Sequence, residues 1–369
     1  MKPVHPFRRT AAATALFALA AIGAFPASSD ALAPVYIPAG VADEKASVAC
    51  VRTPEGGVEA IDLARGRTLF VAAPPARPLL IASGVAYLLE ERPGRALQMA
   101  LYDVARGRLL RTIDLAALAL PAWASIAGAA GGREWTFFDA EARLDLDRLT
   151  LVYQARRMRA YGSRPPEAID EVAGAAEVIL DSGRVLRAAA ARFDRPPLAQ
   201  PVPPAVGARW LAVHARRADA TLMLGGPPAN AEGLLVEADD SLVGFRFAED
   251  ATVVLAQRFS AAAAPLGAPL RLDHGVQTDA LWLTLDRNHL LLRRAQDQAR
   301  YDLYDLATGA PVDLLERPVD VAVVGDHLLF TSWRDDGRLV LESRRPGARH
   351  RDWRRVVRLP DPPPGPPIP

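Results

Sequence analysis

The chain has 369 residues, 44 of them Lys or Arg and 43 Asp or Glu, so its formal net charge at pH 7 is +1. Half of the residues are hydrophobic and 24% are charged. This composition excludes a disordered chain, and the balanced charge excludes a generally basic nucleic-acid-binding protein. The single cysteine, Cys50, excludes a disulfide framework, a thiolate zinc cluster and a c-type haem motif. The 32 prolines and 26 glycines indicate many turns and few long helices.

The first 31 residues have the three parts of a secretory signal. Three basic residues precede an uncharged apolar run over residues 10–25, and small residues follow over 26–31. Cleavage after Ser29 and cleavage after Ala31 both fit this pattern. An uncleaved membrane anchor is the alternative, but the apolar run is shorter than the roughly 20 residues of a spanning helix. Since no later segment reaches that length, we expect a secreted or periplasmic protein without a transmembrane segment after cleavage.

One hairpin unit recurs along the rest of the chain. It consists of an apolar strand, an Asp, a short turn that ends in Gly, and a second apolar strand. Asp accepts hydrogen bonds from the backbone of such a turn, and Gly adopts the positive φ that the turn requires. The unit occurs at residues 59–70, 100–110, 178–186 and 301–312.

A second unit, a polar turn followed by an apolar strand, precedes several of these hairpins. It begins at Ser83, Asp147, Asp250, Asp286 and Asp326. Together the two units supply four strands, the content of one propeller blade. The turn aspartates Asp62, Asp103, Asp181 and Asp305 are separated by 41, 78 and 124 residues, close to one, two and three periods of about 41.

The repeats therefore predict an all-β fold, a β-propeller over residues 32–359. We expect seven four-stranded blades, with six or eight as alternatives and a sandwich of unrelated hairpins as the competing architecture. Residues 115–132 and 156–173 are out of phase with the repeat and are expected to be loops inserted between strands. Residues 360–369 contain seven prolines and are expected to form a disordered tail. With a single cysteine, the ring is expected to be closed by pairing of its terminal strands.

The hairpin copies, notably the one at residues 303–309, resemble the repeats of exported quinoprotein-dehydrogenase-like and YVTN/PQQ-like β-propellers. The resemblance implies the architecture but not an activity, because this fold carries enzymes, assembly factors and scaffolds alike. The docking repeats of quinoprotein enzymes usually have Trp after the turn Gly, whereas this chain has aliphatic residues or Phe there. Their disulfide between adjacent cysteines is impossible here, and no matching calcium ligands are present. No cofactor is therefore expected.

The polar residues Asp273, His274 and Asp279 are the candidates for a site at the channel mouth, since they lie in and beside a predicted connector between blades. The alternative is a polar loop that caps its own backbone. No phosphate-binding Gly-rich loop, His-Glu-x-x-His or Gly-x-Ser-x-Gly motif occurs in the chain, and neither a catalytic residue nor a metal site is assigned.

Two groups of arginines are candidates for docking a partner. They are Arg156, Arg157 and Arg159 in the first group and Arg345, Arg351, Arg354 and Arg355 in the second. Either group could contact an acidic protein or an anionic component of the cell envelope. The alternative is a solvated charged strand that blocks edge-to-edge aggregation.

The sequence favours an exported, non-catalytic β-propeller that binds or scaffolds an unknown protein or envelope partner, and no nucleic acid. The alternative is a propeller enzyme or dehydrogenase-accessory subunit with a small-molecule or metal site at the channel mouth. A binding module should have a filled channel and an exposed patch. An enzyme should have an open channel in which several carboxylates or histidines converge.

Overall fold

The computed structural model describes residues 32–358, except for residues 93, 95–96, 128–133, 162–163, 189–210, 213–234, 237–241, 249–250, 260–263 and 287. The predicted signal at residues 1–31 and the tail at 360–369 lie outside the described residues. The described residues form β-strands and one 3-10 helix, Ala116–Leu118. No helix in this part of the chain is long and apolar enough to cross a membrane.

The strands of the first half of the chain form three antiparallel sheets in succession. The first sheet contains β1 (Val35–Ile37), β2 (Gly40–Asp43), β3 (Val48–Arg52), β4 (Val58–Asp62) and β5 (Arg67–Ala72). The second contains β6 (Ala76–Ala82), β7 (Val85–Glu91), β8 (Leu97–Asp103) and β9 (Arg108–Asp114). The third contains β10 (Glu134–Asp145), β11 (Arg148–Tyr161), β12 (Arg164–Ile179) and β13 (Arg184–Ala188).

Three further antiparallel sheets follow. The fourth contains β14 (Leu211–Ala212), β15 (Leu235–Val236), β16 (Leu242–Ala248), β17 (Val253–Phe259) and β18 (Leu270–Asp273). The fifth contains β19 (Thr278–Leu283), β20 (His289–Arg294), β21 (Asp297–Asp305) and β22 (Pro311–Glu316). The sixth contains β23 (Pro318–Val324), β24 (His327–Trp333), β25 (Leu339–Arg344) and β26 (Trp353–Val356).

Burial falls from the first strand of a sheet to the last. All seven residues of β6 are buried, whereas five of the seven residues of β9 are exposed. Likewise, five of the six residues of β19 are buried, but only one of the six in β22. The first strands therefore face the centre of the molecule and the last strands its rim. Apolar clusters fill the spaces between the first and second, second and third, fourth to sixth, and sixth and first sheets. This arrangement is the predicted β-propeller.

The recurrent hairpin joins the third and fourth strands of a blade, and its predicted turn geometry is confirmed. In the first such turn, the Gly66 amide donates to the Asp62 carbonyl at 2.7 Å, and the Arg65 amide donates to the Asp62 carboxylate at 3.1 Å. The turn glycines all have positive φ, between 62° and 74°. They are Gly66, Gly107, Gly183 and Gly309.

The same glycines contact the rim strand of the preceding blade. A Cβ atom on Gly107 would lie 2.5 Å from the Leu69 carbonyl oxygen in β5, so no larger residue fits without displacing backbone. A Cβ on Gly66 would lie 2.5 Å from the Trp353 side chain in β26 of the sixth sheet. The sixth and first sheets therefore meet in the same way as the first and second. This contact closes the ring.

Closure by pairing of terminal strands was a wrong prediction. β1 pairs with β2 in the first sheet, and β26 pairs with β25 in the sixth. The two sheets are instead joined through side chains and through one backbone hydrogen bond, from the Arg358 amide to the Arg52 carbonyl at 3.2 Å. The Trp353 indole N–H donates to the Leu63 carbonyl at 2.6 Å, and Arg355 pairs with Glu59 at 3.1 Å.

Six sheets are present among the described residues, the lower limit of the expected range, and the seventh predicted blade has no counterpart there. The spacing was misleading because blade length varies. Asp103 and Asp181 are 78 residues apart, but they belong to the consecutive second and third sheets, not to sheets two periods apart. The strands β10, β11 and β12 have 12, 14 and 16 residues, against nine or fewer in the other strands described.

The prediction of a loop at residues 156–173 was therefore wrong, because residues 156–161 belong to β11 and residues 164–173 to β12. Three of the four arginines there lie opposite a carboxylate on the paired strand: Arg156 opposite Glu171, Arg157 opposite Asp170 and Arg159 opposite Glu167. We call residues 134–137, 156–161 and 164–172 the β10–β12 extension. By contrast, the described residues 115–127 form the predicted connector, with a single 3-10 turn.

Candidate functional site

The predicted channel-mouth residues lie where the fourth sheet passes into the fifth. Asp273 ends β18, His274 begins the connector, and Asp279 lies in β19. The connector is held to the fourth sheet by its backbone, since the His274 amide donates to the Thr252 carbonyl at 2.9 Å. Gly275, at φ 69°, then turns the chain toward β19. Local backbone geometry thus directs the His274 ring into the protein.

The His274 ring is fully buried and bonded at both nitrogens. Its Nδ1 lies 2.5 Å from Thr278 Oγ1, and its Nε2 lies 2.5 Å from Asp302 Oδ2, on β21. A neutral imidazole satisfies both contacts when Nε2–H donates to the carboxylate and Nδ1 accepts from the hydroxyl. Asp302 also accepts two hydrogen bonds from Arg294, at 2.7 and 2.8 Å.

The contacts in this network shift the pKa values of Asp302 and Tyr304. Burial by itself raises the pKa of Asp302, but the hydrogen bonds from Arg294 and His274 outweigh it and bring the pKa to about 2. Burial and the neighbouring Asp302 carboxylate raise the pKa of Tyr304 to about 12. The Tyr304 hydroxyl donates to the Asp273 carbonyl at 3.0 Å. Asp302 is therefore ionised and Tyr304 protonated throughout the physiological pH range.

The three predicted residues do not converge on one point. The Asp279 carboxylate forms a two-point ion pair with Arg293, at 2.7 and 3.0 Å, and this contact raises the pKa of Arg293. The Asp273 carboxylate is largely exposed and pairs with Arg271 at 2.8 Å. His274 alone enters the buried network. No group of three or more His, Cys, Asp or Glu side chains among the described residues could hold a metal ion.

Sequence reasoning missed Asp302, Arg294 and Thr278, the partners of His274. Asp302 is 28 residues from the histidine, and only the pairing of β20 with β21 brings it alongside Arg294. The available signal was an Asp inside a strand pattern, where a charge needs a partner. That segment was interpreted only as a hairpin strand.

The centre of the propeller holds a second polar group, which sequence reasoning also missed. Arg77 of β6 pairs with Asp139 of β10 at 2.8 Å, and its guanidinium also donates to the Phe138 carbonyl. The two side chains are 11% and 1% exposed, so this is a buried ion pair between neighbouring inner strands. They line a cavity of about 30 Å³, together with Tyr36, Arg52 and adjacent residues. A cavity of this size holds about two water molecules.

β1 occupies part of the centre as well. It pairs with the inner side of β2, which makes it a fifth and innermost strand of the first sheet. Its Ile37 is fully buried among residues of the first and sixth sheets. Upstream, Leu32 exchanges two backbone hydrogen bonds with Leu144 of β10, at 2.7 and 2.9 Å. The segment from residue 32 to 37 thus links the first, third and sixth sheets.

The first group of candidate arginines lies in the β10–β12 extension. Arg157 pairs with Glu134 at 2.6 Å and with Asp170 at 3.4 Å, and Arg159 pairs with the same Glu134. Arg156 pairs with Glu171 at 3.3 Å. Hydrogen bonds from Arg159 and Arg157 lower the pKa of Glu134. The extension therefore presents alternating charges and not a uniformly basic surface.

The second group of candidate arginines contains one residue that joins two sheets and three that lie at the surface. Arg355 joins the sixth sheet to the first through Glu59, and Arg351 pairs with Glu342 at 3.1 Å. Arg345 is 74% exposed and lies 4.0 Å from Asp326. Arg354 is exposed on β26. The last sheet thus uses one of the four candidate arginines to close the ring and leaves the others at the surface.

No family model and no curated protein matches the chain. Among solved structures, BamB from Moraxella catarrhalis is 12% identical, with 82% of this chain and 83% of that chain covered and a TM-score of 0.28. A eukaryotic initiation factor is 8% identical, with 88% and 89% covered and a TM-score of 0.31. A proposed 6-phosphogluconolactonase from Bacteroides fragilis is 11% identical, with 84% and 94% covered and a TM-score of 0.32. Similarity at this level carries no functional argument, and the fold assignment rests on the sheets.

Proposed function

We propose that the protein is an exported, non-catalytic β-propeller that binds a protein partner through the β10–β12 extension. In this proposal residues 1–31 are removed as a secretory signal, residues 32–359 form the binding module, and the repeats belong to the quinoprotein-dehydrogenase-like and YVTN/PQQ-like type. The mature protein works outside the cytoplasm, as a periplasmic or secreted scaffold.

The observation that carries this proposal is the β10–β12 extension itself. It is the one described part of a blade that departs from the repeat by lengthening its strands, and such departures concentrate function on a repetitive scaffold. Its exposed positions include Glu167, Ala168 and Asp170. Met158, which belongs to the extension, is fully buried and fixes it to the rest of the blade. An ordered, charged and projecting element of this kind suits recognition of a protein surface with complementary charges.

The centre of the molecule supports binding over catalysis. β1 and the Arg77–Asp139 ion pair occupy the space in which a propeller enzyme would hold its substrate. The His274 ring, the strongest candidate for acid–base chemistry, has no exposed surface. A general base must come within hydrogen-bond distance of the proton that it removes, and a ring enclosed by Thr278 and Asp302 is out of reach of a substrate.

A site-specific photo-crosslinker in living cells of the source organism tests the binding surface. We expect the crosslinker at Ala168 to give one discrete product of higher mass. The matched control is a crosslinker at Thr308, an exposed turn position in the fifth sheet, which should give none. Replacement of residues 157–170 by Asn-Gly, a two-residue hairpin turn, should abolish binding of the crosslinked partner once that partner is purified. Equal products from both positions, or none from Ala168, would contradict the proposal.

Export has its own test. The protein recovered from the periplasm or culture medium should begin at Asp30 or Leu32, as read by N-terminal sequencing. Full-length protein confined to the cytoplasm would contradict it. This result is independent of the crosslinking result.

A further inference from the structure

The residue after the turn glycine is an arginine in three successive blades. These arginines are Arg67, Arg108 and Arg184. Each is the first residue of a rim strand, β5, β9 or β13, and each is exposed. None forms an ion pair within the described part of the chain. Arg67 and Arg108 lie across the hairpin from Asp62 and Asp103, without an ion pair to either. The pKa of Asp103 is lowered by hydrogen bonds from Arg106 and, to a smaller extent, by the charge of Arg108. Three exposed guanidiniums therefore recur at one structural position.

The hairpin tips of the first two blades expose their cations and cover their anions, whereas Asp181 in the third blade is exposed. Arg65 and Arg106, the residues before the turn glycines of the first two blades, have side chains that are 76% and 70% exposed. Their partners, Asp62 and Asp103, are only 16% and 14% exposed, because these carboxylates turn inward to bond the turn backbone. Solvent therefore meets mainly positive charge at these turns, although each turn contains a carboxylate.

These arginines lie along one end of the propeller. Hairpins between third and fourth strands all lie at the same end of their sheets, since successive strands alternate in direction. The first three blades are neighbours in the ring, with Gly107 against Leu69 and Gly183 against Arg111. Equivalent positions in adjoining blades place Arg67, Arg108 and Arg184 on an arc at one level.

We infer that this arc binds the phosphate headgroups of an anionic lipid surface. A guanidinium forms paired hydrogen bonds with phosphate oxygens, and a level, spread array of such groups fits a planar array of phosphates. A single small anion or a short acidic peptide would need convergent donors instead. Leu109, beside Arg108 and 49% exposed, adds an apolar contact at the same edge. The inference does not depend on the partner proposed for the β10–β12 extension. The extension lies at one end of the strands, and the inferred membrane contact lies at the other end.

Vesicle binding of the mature chain, residues 32–369, tests this inference. The probes are vesicles of phosphatidylcholine alone and of equal parts phosphatidylcholine and phosphatidylglycerol. The variant R67Q/R108Q/R184Q is compared with R92Q/R334Q/R338Q, which loses the same charge at exposed turns on the opposite ends of the strands. Wild-type protein and the R92Q control should bind only the anionic vesicles, in a salt-sensitive manner. The arc variant should bind roughly 100-fold more weakly, since each basic residue near an anionic surface contributes about 1 kcal/mol.

The outcomes are decisive in both directions. Both variants should melt at the wild-type temperature, because the substituted side chains are exposed. Absence of wild-type binding to the anionic vesicles would overturn the inference, as would equal losses in the two triple variants. Binding to soluble polyglutamate without binding to vesicles would also overturn it and would assign the arc to an acidic protein.

Discussion

Asp302 shows how a single carboxylate can organise the junction between two blades. It accepts hydrogen bonds from Arg294 on the neighbouring strand and from His274 in the connector between the fourth and fifth sheets. The His274 ring in turn bonds Thr278 at the start of β19. Because the His274 side chain is fully buried and the Asp302 side chain is only 14% exposed, loss of either leaves buried polar atoms of the other without a partner.

We predict that Asp302→Asn lowers the free energy of unfolding at pH 7 by about 2 kcal/mol, because the pKa of Asp302 lies about two units below the ordinary value for Asp. A carboxyl with a lowered pKa stabilises the fold at pH values above its unfolded pKa. That contribution is lost as the pH falls toward 2, so the difference between variant and wild type should shrink there. Urea unfolding at pH 7 and at acidic pH measures both effects.

Asp273→Asn provides the control, since this exposed carboxylate pairs only with Arg271 at the surface. We expect it to change the free energy of unfolding by less than about 0.5 kcal/mol. Equal effects of the two substitutions would show that the network around His274 does not hold the blade junction.

At the scale of the hairpin, the turn glycine has two separate roles. Its positive φ completes the turn, and its missing side chain lets the rim strand of the preceding blade approach. Gly66 has both roles, with φ at 62° and the Trp353 side chain in contact. Gly337 has a φ of 75° but no neighbour within 4 Å of a Cβ atom placed on it. The two glycines therefore separate the backbone role from the packing role.

Gly66→Ala should destabilise the protein more than Gly337→Ala. Each substitution costs about 1–2 kcal/mol for a left-handed Ala, and Gly66→Ala adds about 1–3 kcal/mol for the clash with Trp353. Denaturant unfolding of the two variants gives the difference directly. If both lost the same free energy, the contact between the first and sixth sheets would not be as described.

The hairpins could be predicted from sequence because their determinants are local. Alternating apolar residues, an Asp and a Gly within a dozen positions specify the strands and the turn. The β10–β12 extension could not be predicted, because its arginines form ion pairs with Glu134, Asp170 and Glu171, which lie on neighbouring strands. Residues 156–173 contain seven charged residues and two adjacent prolines, so their sequence resembles a loop. Cross-strand charge pairs make them a sheet.

For the whole molecule, the type of fold could be predicted but not the way in which the ring closes. Repetition indicates a propeller whatever the blade count. The contact between Glu59 and Arg355 spans 296 positions, and no local pattern points to it. The same holds for the centre, where the Arg77–Asp139 pair depends on which inner strands are neighbours. Asp273, His274 and Asp279 lie in and beside a connector between two sheets, and only His274 has its partner, Asp302, 28 residues away.

β1 joins sheets that are far apart in the chain, and Ile37 is its buried anchor. We predict that Ile37→Ala lowers the free energy of unfolding by about 2–5 kcal/mol, the range for a fully buried Ile that leaves a cavity. Val35→Ala, on the same strand but 38% exposed, should cost less than about 1 kcal/mol. Thermal and urea unfolding of the two variants make the comparison. Similar small losses would mean that β1 does not fill the centre.

Every functional placement above depends on the sheets closing into one ring, with the sixth beside the first. Crosslinking of Glu59→Cys to Arg355→Cys with a short bis-maleimide, in a Cys50→Ala background, tests this most directly. In a closed ring this pair should crosslink efficiently within one molecule, read as a peptide pair by mass spectrometry. The control pair Glu59→Cys and Arg300→Cys, in the first and fifth sheets, should give no such product. Absence of the first crosslink in folded protein, or equal yields from both pairs, would contradict the closed propeller.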